Sequence, residues 1–326
     1  MNYRTFEEQY THYFDRPTSS TASGPVGGAP AWDAATLEDD TTWIADLDGN
    51  DTAEIEAALD RVIEAGTPIS DLRREDVEFG AFGRRLRRWC DELQHGRGVV
   101  LIRGFPVSRW GERRTEIATW CIGLHLGHPG AQNPRGDLLG HVREQRGDGV
   151  SEHTRLYQTN DAIRFHCDYA DVVGLMCIRQ APVGGESRIA SSTAVHDEMW
   201  RCAPRTVKRL YQRVWLDTRD EGSSPAISVN PFAFDGRRVR TFYHSDYFRS
   251  VERHGGVYQL TRDLVEALDT FDRLAGSEQF CARMHLQEGD LQLVSNHSVV
   301  HARTTFTDDP DAPRHLLRLW LSLDAT

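Results

Sequence analysis

Lysine is almost absent from this chain of 326 residues, in which Lys208 is its single representative. The other basic residues are arginines, and acidic residues outnumber basic ones by 49 to 38, which leaves a net charge of -11 at pH 7. This balance argues against a general nucleic-acid binder and against a protein that binds anionic membranes. Because arginine is so common in this chain, an isolated arginine says little about function.

Long apolar runs and paired cysteine motifs are missing as well. Nowhere do 18 apolar residues follow one another, and residues 1–17 contain no apolar segment of the kind found in signal peptides. The six cysteines are scattered, without a CxxC pair, and a chain of this size does not need disulfide bonds to be stable. We therefore expect a soluble, cytoplasmic protein with free thiols.

The chain divides into two parts by composition. Residues 17–30 are rich in Pro, Gly, Ser and Thr and predict a loop or a disordered linker. From about residue 155, short apolar runs alternate with turn signals, which favours a β-sandwich or barrel over a doubly wound sheet. We predict a partly helical N-terminal extension over residues 1–95 and a main domain over 96–326, joined as one structural unit. Helices are expected at 5–15, 51–66, 79–95, 110–127, 193–213 and 260–275, and a buried strand at 96–107.

Two His-x-Asp pairs compete as the start of a metal site. One is His166 with Asp168, in RFHCDYAD, and the other is His244 with Asp246, in RTFYHSDYF. Residues two apart on an extended chain project from the same face of a strand. An imidazole beside a carboxylate suits a divalent transition metal, although two ligands alone make no site.

His297 and His301 lie downstream and are the candidates for a third ligand. On a helix, this H-x3-H spacing would match part of a zinc site, but Val299 and Val300 after a strand-like run argue against a helix. Two histidines and one carboxylate on one side of a first-row metal leave three neighbouring positions open, which is the arrangement used for Fe(II) and dioxygen. A co-substrate can chelate the metal through two of those positions.

Arg314 and Arg318 follow in a segment that predicts a strand, DAPRHLLRLWLSL. Their even spacing places both on one face, with Leu317, Leu319 and Leu321 on the other face as core. A buried arginine needs an anion, and its planar fork suits a carboxylate. A metal triad followed closely by an inward-facing arginine suggests that the chelating co-substrate is a dicarboxylate.

With these motifs in place, the chain resembles the Fe(II)/2-oxoglutarate-dependent dioxygenases of the taurine dioxygenase (TauD/TfdA) family, which are clavaminate synthase-like in fold. The resemblance covers the chain from about residue 97 to its end. It implies an α+β protein with a double-stranded β-helix (jelly-roll) core and helices packed outside it. The motifs that carry it are FHCD (165–168), APVGGES (181–187), NHSVVHART (296–304) and RHLLRLWL (314–321), with support from RGFP (103–106) and LGHP (126–129).

The resemblance implies roles for individual residues. His166, Asp168 and His301 would hold Fe(II), and Arg314 would bind the distal carboxylate of 2-oxoglutarate. Ser187 lies where the family commonly has a hydroxyl residue that touches the same carboxylate. Related halogenases replace the metal-binding carboxylate with alanine or glycine, so the presence of Asp168 argues against halogenation.

The resemblance says less about the substrate. Arg318 lies where taurine dioxygenase has an arginine that grips a sulfonate, although an arginine here equally suits a structural ion pair. Tyr157 and Asn160, just before the predicted ligand strand, are further candidates for substrate contacts. We expect a small carboxylate, sulfonate or amino-acid-like substrate, free or tethered to a carrier. Dioxygen would be the other co-substrate, and hydroxylation of an aliphatic C–H the default outcome, with desaturation, cyclisation or cleavage open. A homo-oligomer is compatible with the sequence.

Two other classes of function are compatible with the same residues. Zinc held by the HxD…H ligands would activate water in a non-redox hydrolase or isomerase on the same barrel. A β-helix module that had lost its metal would bind a ligand or partner without catalysis. The complete set of two histidines, a carboxylate and an arginine argues against the second class.

Overall fold

A computed structural model describes residues 2–15, 20–144, 159–219 and 224–323 of the chain. Within these ranges the helices are α1 (Phe6–Phe14), α2 (Ala34–Asp39), α3 (Gly49–Ala65), α4 (Ala81–His95), α5 (Val107–Leu126), α6 (Ser192–Cys202), α7 (Pro204–Arg209), α8 (Ser245–Ser250) and α9 (Arg262–Ala275). The strands are β1 (Ile44–Asp46), β2 (Val99–Arg103), β3 (His128–Gly130), β4 (Gly140–Val142), β5 (Ile163–His166), β6 (Val172–Arg179), β7 (Val183–Gly184), β8 (Ser187–Ser191), β9 (Val214–Asp217), β10 (Ala226–Val229), β11 (Phe232–Phe234), β12 (Val239–Thr241), β13 (Cys281–Met284), β14 (Leu291–Ser295), β15 (Val299–Arg303), β16 (Phe306–Thr307) and β17 (His315–Ser322).

Two sheets form the centre of the fold. The larger has the order β1-β2-β14-β6-β17-β3, with β4 also paired to β17, and the smaller has the order β13-β8-β15-β5. Along β2 the side chains alternate: Val99 and Leu101 pack in one cluster with Ile189 of the smaller sheet, whereas Val100 and Ile102 pack in a cluster with α3, α4 and α5. The sheets therefore share an interior and the helices cover the outside, which is the double-stranded β-helix that the sequence predicted.

β17 shows how the sequence pattern determines which side chains line the interior. Leu317, Leu319 and Leu321 pack toward the helices, whereas Trp320 belongs to the cluster between the sheets. Burial of each leucine contributes about 1.5–3 kcal/mol. Because the strand alternates, this packing obliges Arg318 to point into the interior, as predicted.

All of the predicted helices are present, but one of them is divided into two shorter helices. α3 begins with a capping box at Asp48 and ends at Gly66, whose φ of 66° lies in the left-handed region. The helix predicted over 193–213 is instead divided into α6 and α7. Ala203, with φ of -147°, precedes Pro204, which starts the second helix. A residue before proline is disfavoured in the helical region, and proline cannot donate the bond that would continue α6.

The N-terminal segment packs against the larger sheet. β1 pairs in parallel with β2, and Gln9 of α1 accepts a hydrogen bond from the Ser322 hydroxyl at 2.7 Å. Of the loop predicted at 17–30, residues 17–19 lie outside the described ranges. In the remainder, the amides of Val26 and Gly27 donate to Asp197 of α6 at 2.8 and 2.7 Å. Among the described residues, no helix is both long enough and apolar enough to cross a bilayer.

Candidate metal centre

Two paired strands of the smaller sheet bring His166 and His301 together. β5 and β15 are antiparallel, and their register places His166 opposite His301, with ring centroids 4.1 Å apart. Asp168 follows just beyond the end of β5. One ligand atom from each of the three residues lies within 4.8 Å of the other two, a separation that one metal ion can bridge.

Hydrogen bonds orient these side chains. His166 Nδ1 lies 2.9 Å from the Arg164 carbonyl oxygen, so an Nδ1–H donates there and the Nε2 lone pair is available to a metal. The Asp168 amide donates to the side-chain oxygen of Asn296 at 3.1 Å, and the Asn296 amide nitrogen donates to the Ala170 carbonyl at 2.8 Å. Asn296 therefore holds the turn that carries the carboxylate.

The polar atoms at the centre of this group fit a bound cation. Within the described residues, Asp168 Oδ2 and His301 Nδ1 are buried and make no hydrogen bond, and His301 Nε2 lies 3.7 Å from Asp168 Oδ2. A buried carboxylate oxygen without a partner costs on the order of 1–3 kcal/mol or more, and a cation held between the imidazoles and the carboxylate removes that cost. Two imidazoles and one carboxylate are the donor set of a facial Fe(II) site.

The electrostatics keep these groups in metal-binding protonation states. Enclosure of the ring, together with the neighbouring His301, lowers the pKa of His166 to about 3. Burial alone would raise the pKa of Asp168, but the Arg318 guanidinium and the two histidines hold it below its usual range. At neutral pH His166 therefore offers a lone pair and Asp168 a negative charge.

Arg318 lies beside the carboxylate of the triad. Its Nη1 is 3.4 Å from Asp168 Oδ1, and its Nε donates to Gln132 Oε1 at 2.7 Å. The Gln132 amide nitrogen in turn donates to the Arg318 carbonyl at 2.6 Å. The sequence placed Arg318 on the interior face, which the structure confirms, but the contact with Asp168 was not foreseen.

Arg314 and Ser187 form a second polar region of the interior. Arg314 is 3% exposed; its Nε donates to Gln180 Oε1 at 2.8 Å, and its Nη1 is buried with no hydrogen-bond partner in the described chain. Burial lowers the pKa of Arg314 to about 10, so its charge persists at neutral pH. The Ser187 hydroxyl donates to Gln292 Oε1 at 2.8 Å, which joins the two sheets through their interior. A charged guanidinium with an N–H donor that has no partner suits a carboxylate ligand.

The turn before Ser187 requires its two glycines. Gly184 has φ of 77°, and a Cβ there would lie 2.2 Å from the Thr305 carbonyl oxygen. Gly185 has φ of 68°, and a Cβ there would lie 3.0 Å from Arg314 Nε. The pair permits β7 to pair with β16 and the turn to lie against the arginine.

In the structure, the two members of the second His-x-Asp pair, His244 and Asp246, lie in different surroundings. His244 forms a backbone bridge with His166, and their ring centroids are 5.1 Å apart. Its own ring stacks on Tyr247 at 3.6 Å, and its buried Nδ1 has no hydrogen-bond partner among the described residues. Asp246, by contrast, lies 3.4 Å from Arg164 in an ion pair. His244 therefore lies beside the triad as a neutral ring, with its pKa lowered well below the ordinary value by burial and by His166.

The remaining candidates lie apart from the triad or outside the described ranges. His297 precedes β15, which is a strand as the sequence indicated, and its Nε2 lies 2.6 Å from Asp171 Oδ1. Asn160 is exposed, and its carbonyl accepts a hydrogen bond from the Phe306 amide at 3.2 Å. Tyr157 lies outside the described residues. Sequence reasoning missed Gln132, because a lone glutamine in an irregular segment carries no local signal.

Comparison with known proteins identifies the family. The family model described as Taurine catabolism dioxygenase TauD, TfdA family matches residues 65–320. The chain belongs to this family. It is a 2-oxoglutarate-dependent dioxygenase that uses Fe(II).

Two curated proteins match most of the chain. "FR-33289 synthase" from Streptomyces rubellomurinus (strain ATCC 31215) is 32% identical over 312 residues, which are 92% of this chain and 91% of that protein. "Taurine hydroxylase-like protein SAT17" from Stachybotrys chartarum (strain CBS 109288 / IBT 7711) is 24% identical over 324 residues, covering 94% of this chain and 82% of that protein.

Solved structures share the fold. An asparagine oxygenase in complex with Fe(II), 2S,3S-3-hydroxyasparagine and succinate has a TM-score of 0.69 at 19% identity, covering 86% of this chain and 94% of that one. The non-heme iron oxygenase OrfP in complex with Fe, succinate and (3S)-hydroxy-L-Arg has a TM-score of 0.66 at 14% identity, with the same coverage. At these identities the similarity supports the architecture and not the substrate.

Proposed function

We propose that this dioxygenase hydroxylates an aliphatic C–H bond of a small, anionic or amino-acid-like substrate, with His166, Asp168 and His301 as the Fe(II) ligands. The observation that carries the proposal is the cluster of three ligand atoms within 4.8 Å of one another, in the interior of a protein of this family. The buried Asp168 Oδ2, which makes no hydrogen bond among the described residues, supports it. Bound Fe(II) would supply the oxidising chemistry with dioxygen and 2-oxoglutarate, with release of succinate and CO2.

Arg314 is proposed to hold the far carboxylate of 2-oxoglutarate. Its guanidinium is charged and buried, and one of its nitrogens is left without a hydrogen bond in the described chain. Ser187 would help, because its hydroxyl can turn from Gln292 toward an added carboxylate, and the Gln292 amide nitrogen, which also has no partner, could then donate. Two groups at fixed positions restrict the co-substrate to one orientation.

Asp168 supports oxygenation rather than halogenation. A carboxylate at this position occupies one coordination site and brings a negative charge to the metal. Arg318, 3.4 Å from Asp168 Oδ1, is positioned to orient that carboxylate. We propose this positioning as its main task, with a contact to an anionic substrate as an additional one.

His244 is proposed to face the substrate. Its ring lies next to His166 and is held by stacking on Tyr247, and its Nδ1 is buried without a partner in the described chain. A neutral imidazole beside the metal ligands can hydrogen-bond a substrate group. Placement of this kind decides which C–H bond lies nearest the reacting centre.

Relatives and structural neighbours support the proposed substrate class. The two oxygenase structures hold hydroxylated asparagine and hydroxylated arginine together with succinate, and one curated relative is named a taurine hydroxylase-like protein. These ligands are small and carry a carboxylate or, by name, a sulfonate. A carrier-tethered acid of the same kind is the alternative that a screen must include. Desaturation or cyclisation would use the same residues.

The N-terminal residues 1–95 are proposed to be an extension of the same unit as 96–326. β1 extends the larger sheet, and α1 contacts the end of β17 through Gln9 and Ser322.

Two measurements test the proposed function. Anaerobic addition of Fe(II) and then 2-oxoglutarate to metal-free protein should produce a weak visible charge-transfer band. Succinate formation should then rise when a suitable carboxylate, sulfonate or amino acid is added in air with ascorbate. A protein that forms neither the band nor succinate with any compound would contradict the assignment and favour a non-redox role for the metal.

A further inference from the structure

A second group of metal-ligand side chains lies between α5 and the larger sheet. It consists of Glu112 from α5, His141 from β4 and His315 from β17. His315 lies on the same side of β17 as Leu317, which packs with the helices, and therefore on the opposite side from Arg318. The group is thus separated from the first metal centre by the sheet itself.

The three side chains are close enough together for one ion to bind between them. One ligand atom from each residue lies within 4.8 Å of the other two. His141 Nδ1 lies 2.9 Å from His315 Nε2 and 3.7 Å from Glu112 Oε1. Ligands bound tetrahedrally to zinc at its usual bond lengths are about 3.3–3.4 Å apart, between these two values. Without a metal, the two imidazoles hydrogen-bond to each other. A movement of the rings apart by a few tenths of an ångström would make room for an ion between them.

The other ring nitrogens face carboxylates. His141 Nε2 lies 3.8 Å from Glu116 Oε1, and His315 Nδ1 lies 3.8 Å from Glu112 Oε2. A metal-bound histidine commonly donates its second N–H to a carboxylate, which orients the ring and strengthens it as a ligand. Glu116, 3.8 Å from His141 Nε2, would reach this supporting position after a small movement of its side chain.

The protonation state of His315 leaves its ring nitrogen available to a metal. Burial lowers the pKa of His315 to about 4, so no proton competes for its nitrogen at neutral pH. Arg143 and Arg179 are close enough to act against a positive charge, and the carboxylates of Glu112 and Glu116 offset them. The inner ligand is enclosed, with 4% of His315 exposed, whereas the side chains of His141 and Glu112 are 33% and 50% exposed and leave a path from solvent.

We propose that Glu112, His141 and His315 form a second metal site, for Zn²⁺ or a similar late first-row divalent ion, that ties the first turns of α5 to β4 and β17. The ligands come from three separate elements, so a bound ion cross-links them. Binding to the folded state alone raises stability by mass action. This site depends neither on the substrate nor on the iron ligands.

The test uses untagged, metal-free protein in which His166→Ala and Asp168→Ala have removed the first centre. Calorimetric titration with Zn²⁺ should show one equivalent bound, and a stoichiometric amount of Zn²⁺ should raise the melting temperature. Co²⁺ in place of Zn²⁺ should give the visible bands of a four-coordinate ion. Absence of stoichiometric binding, or a Co²⁺ spectrum that matches the ion in buffer, would overturn the proposal.

Two partly exposed ligands provide variants that should fold. On the same background, His141→Asn and Glu112→Gln should each weaken Zn²⁺ binding by at least about tenfold and remove the rise in melting temperature. The matched control is His285→Asn, which changes an exposed histidine and should leave both readouts unchanged. Equal loss in the control, or no loss in either ligand variant, would show non-specific binding and would also overturn the proposal. Circular dichroism checks that each variant is folded.

Discussion

His166 and His301 face each other across the antiparallel strands β5 and β15, with ring centroids 4.1 Å apart. This pairing brings the candidate metal ligands from the two ends of the domain into contact. Asp168 completes the group because the chain leaves β5 in a turn that Asn296 holds by hydrogen bonds. The site is therefore built by one strand pair and one hydrogen-bonded turn, which suits a reaction that depends on placement.

Replacing the carboxylate of the triad tests which of the two His-x-Asp pairs binds the metal. Asp168→Ala should abolish succinate formation coupled to substrate and weaken Fe(II) binding by at least about tenfold, because it removes a charged ligand. Asp246→Ala is the control, since Asp246 pairs with Arg164; the charge-transfer band with 2-oxoglutarate should persist. If instead Asp246→Ala abolished activity and Asp168→Ala did not, the metal would have to be assigned to His244 and Asp246.

Arg314→Gln should raise the KM for 2-oxoglutarate. A hydrogen-bonded charged group contributes about 1.5–3 kcal/mol, so the expected increase is roughly 10- to 150-fold, with a smaller change in kcat at saturation. Arg188→Gln is a suitable control, because Arg188 lies on β8 near Ser187 but pairs with Glu186. An unchanged KM for 2-oxoglutarate in Arg314→Gln would contradict the proposal that Arg314 binds this co-substrate.

His244→Phe should affect the substrate rather than the co-substrate. Phenylalanine preserves stacking on Tyr247 and removes the buried ring nitrogen, so the charge-transfer band should remain. The KM for the substrate and the ratio of succinate to hydroxylated product should both increase, because a poorly placed C–H bond uncouples the two half-reactions. His244→Gln, which retains polar groups, should lie between the wild type and His244→Phe. Equal coupling in all three proteins would contradict the proposed contact.

Asp171→Asn should destabilise the protein without changing metal binding. The buried Asp171 carboxylate lies 2.9 Å from His12 of α1 and 2.6 Å from His297, and it accepts the Leu323 amide at 2.7 Å. An asparagine cannot accept at both positions, so the free energy of unfolding in urea should fall by about 1–3 kcal/mol. Asp311→Asn, at an exposed position, should have little effect and serves as the control.

Stability in a chelating buffer should depend on pH through His315. Its folded pKa of about 4 lies below the unfolded value of about 6.5. Between these values the unfolded chain binds more protons, so the stability of the folded state falls as the pH is lowered through this window. His315→Gln should show a shallower fall in chemical denaturation from pH 6.5 to 4, and equal slopes would contradict the assignment.

Local pattern predicted much of the architecture. The alternation in β17 correctly assigned Leu317, Leu319 and Leu321 to the helix-facing side and Arg318 to the interior. The helix expected at 51–66 is present as α3, which ends before Gly66. The break between α6 and α7 was missed, although Pro204 is visible in the sequence, because apolar periodicity continues across it.

By itself, the sequence determined the class of fold, the candidate triad of His166, Asp168 and His301, and the candidate co-substrate arginine. Local patterns gave the His-x-Asp pairs and the strand alternation, and the resemblance to the TauD/TfdA family implied which pair, which histidine and which arginine form the site. Only the tertiary structure decided that His244 lies beside the triad while Asp246 turns away. It also placed Arg318 against Asp168 and brought Glu112, His141 and His315 together. These relationships depend on the register of strands and on side-chain packing between distant segments, which no local pattern encodes.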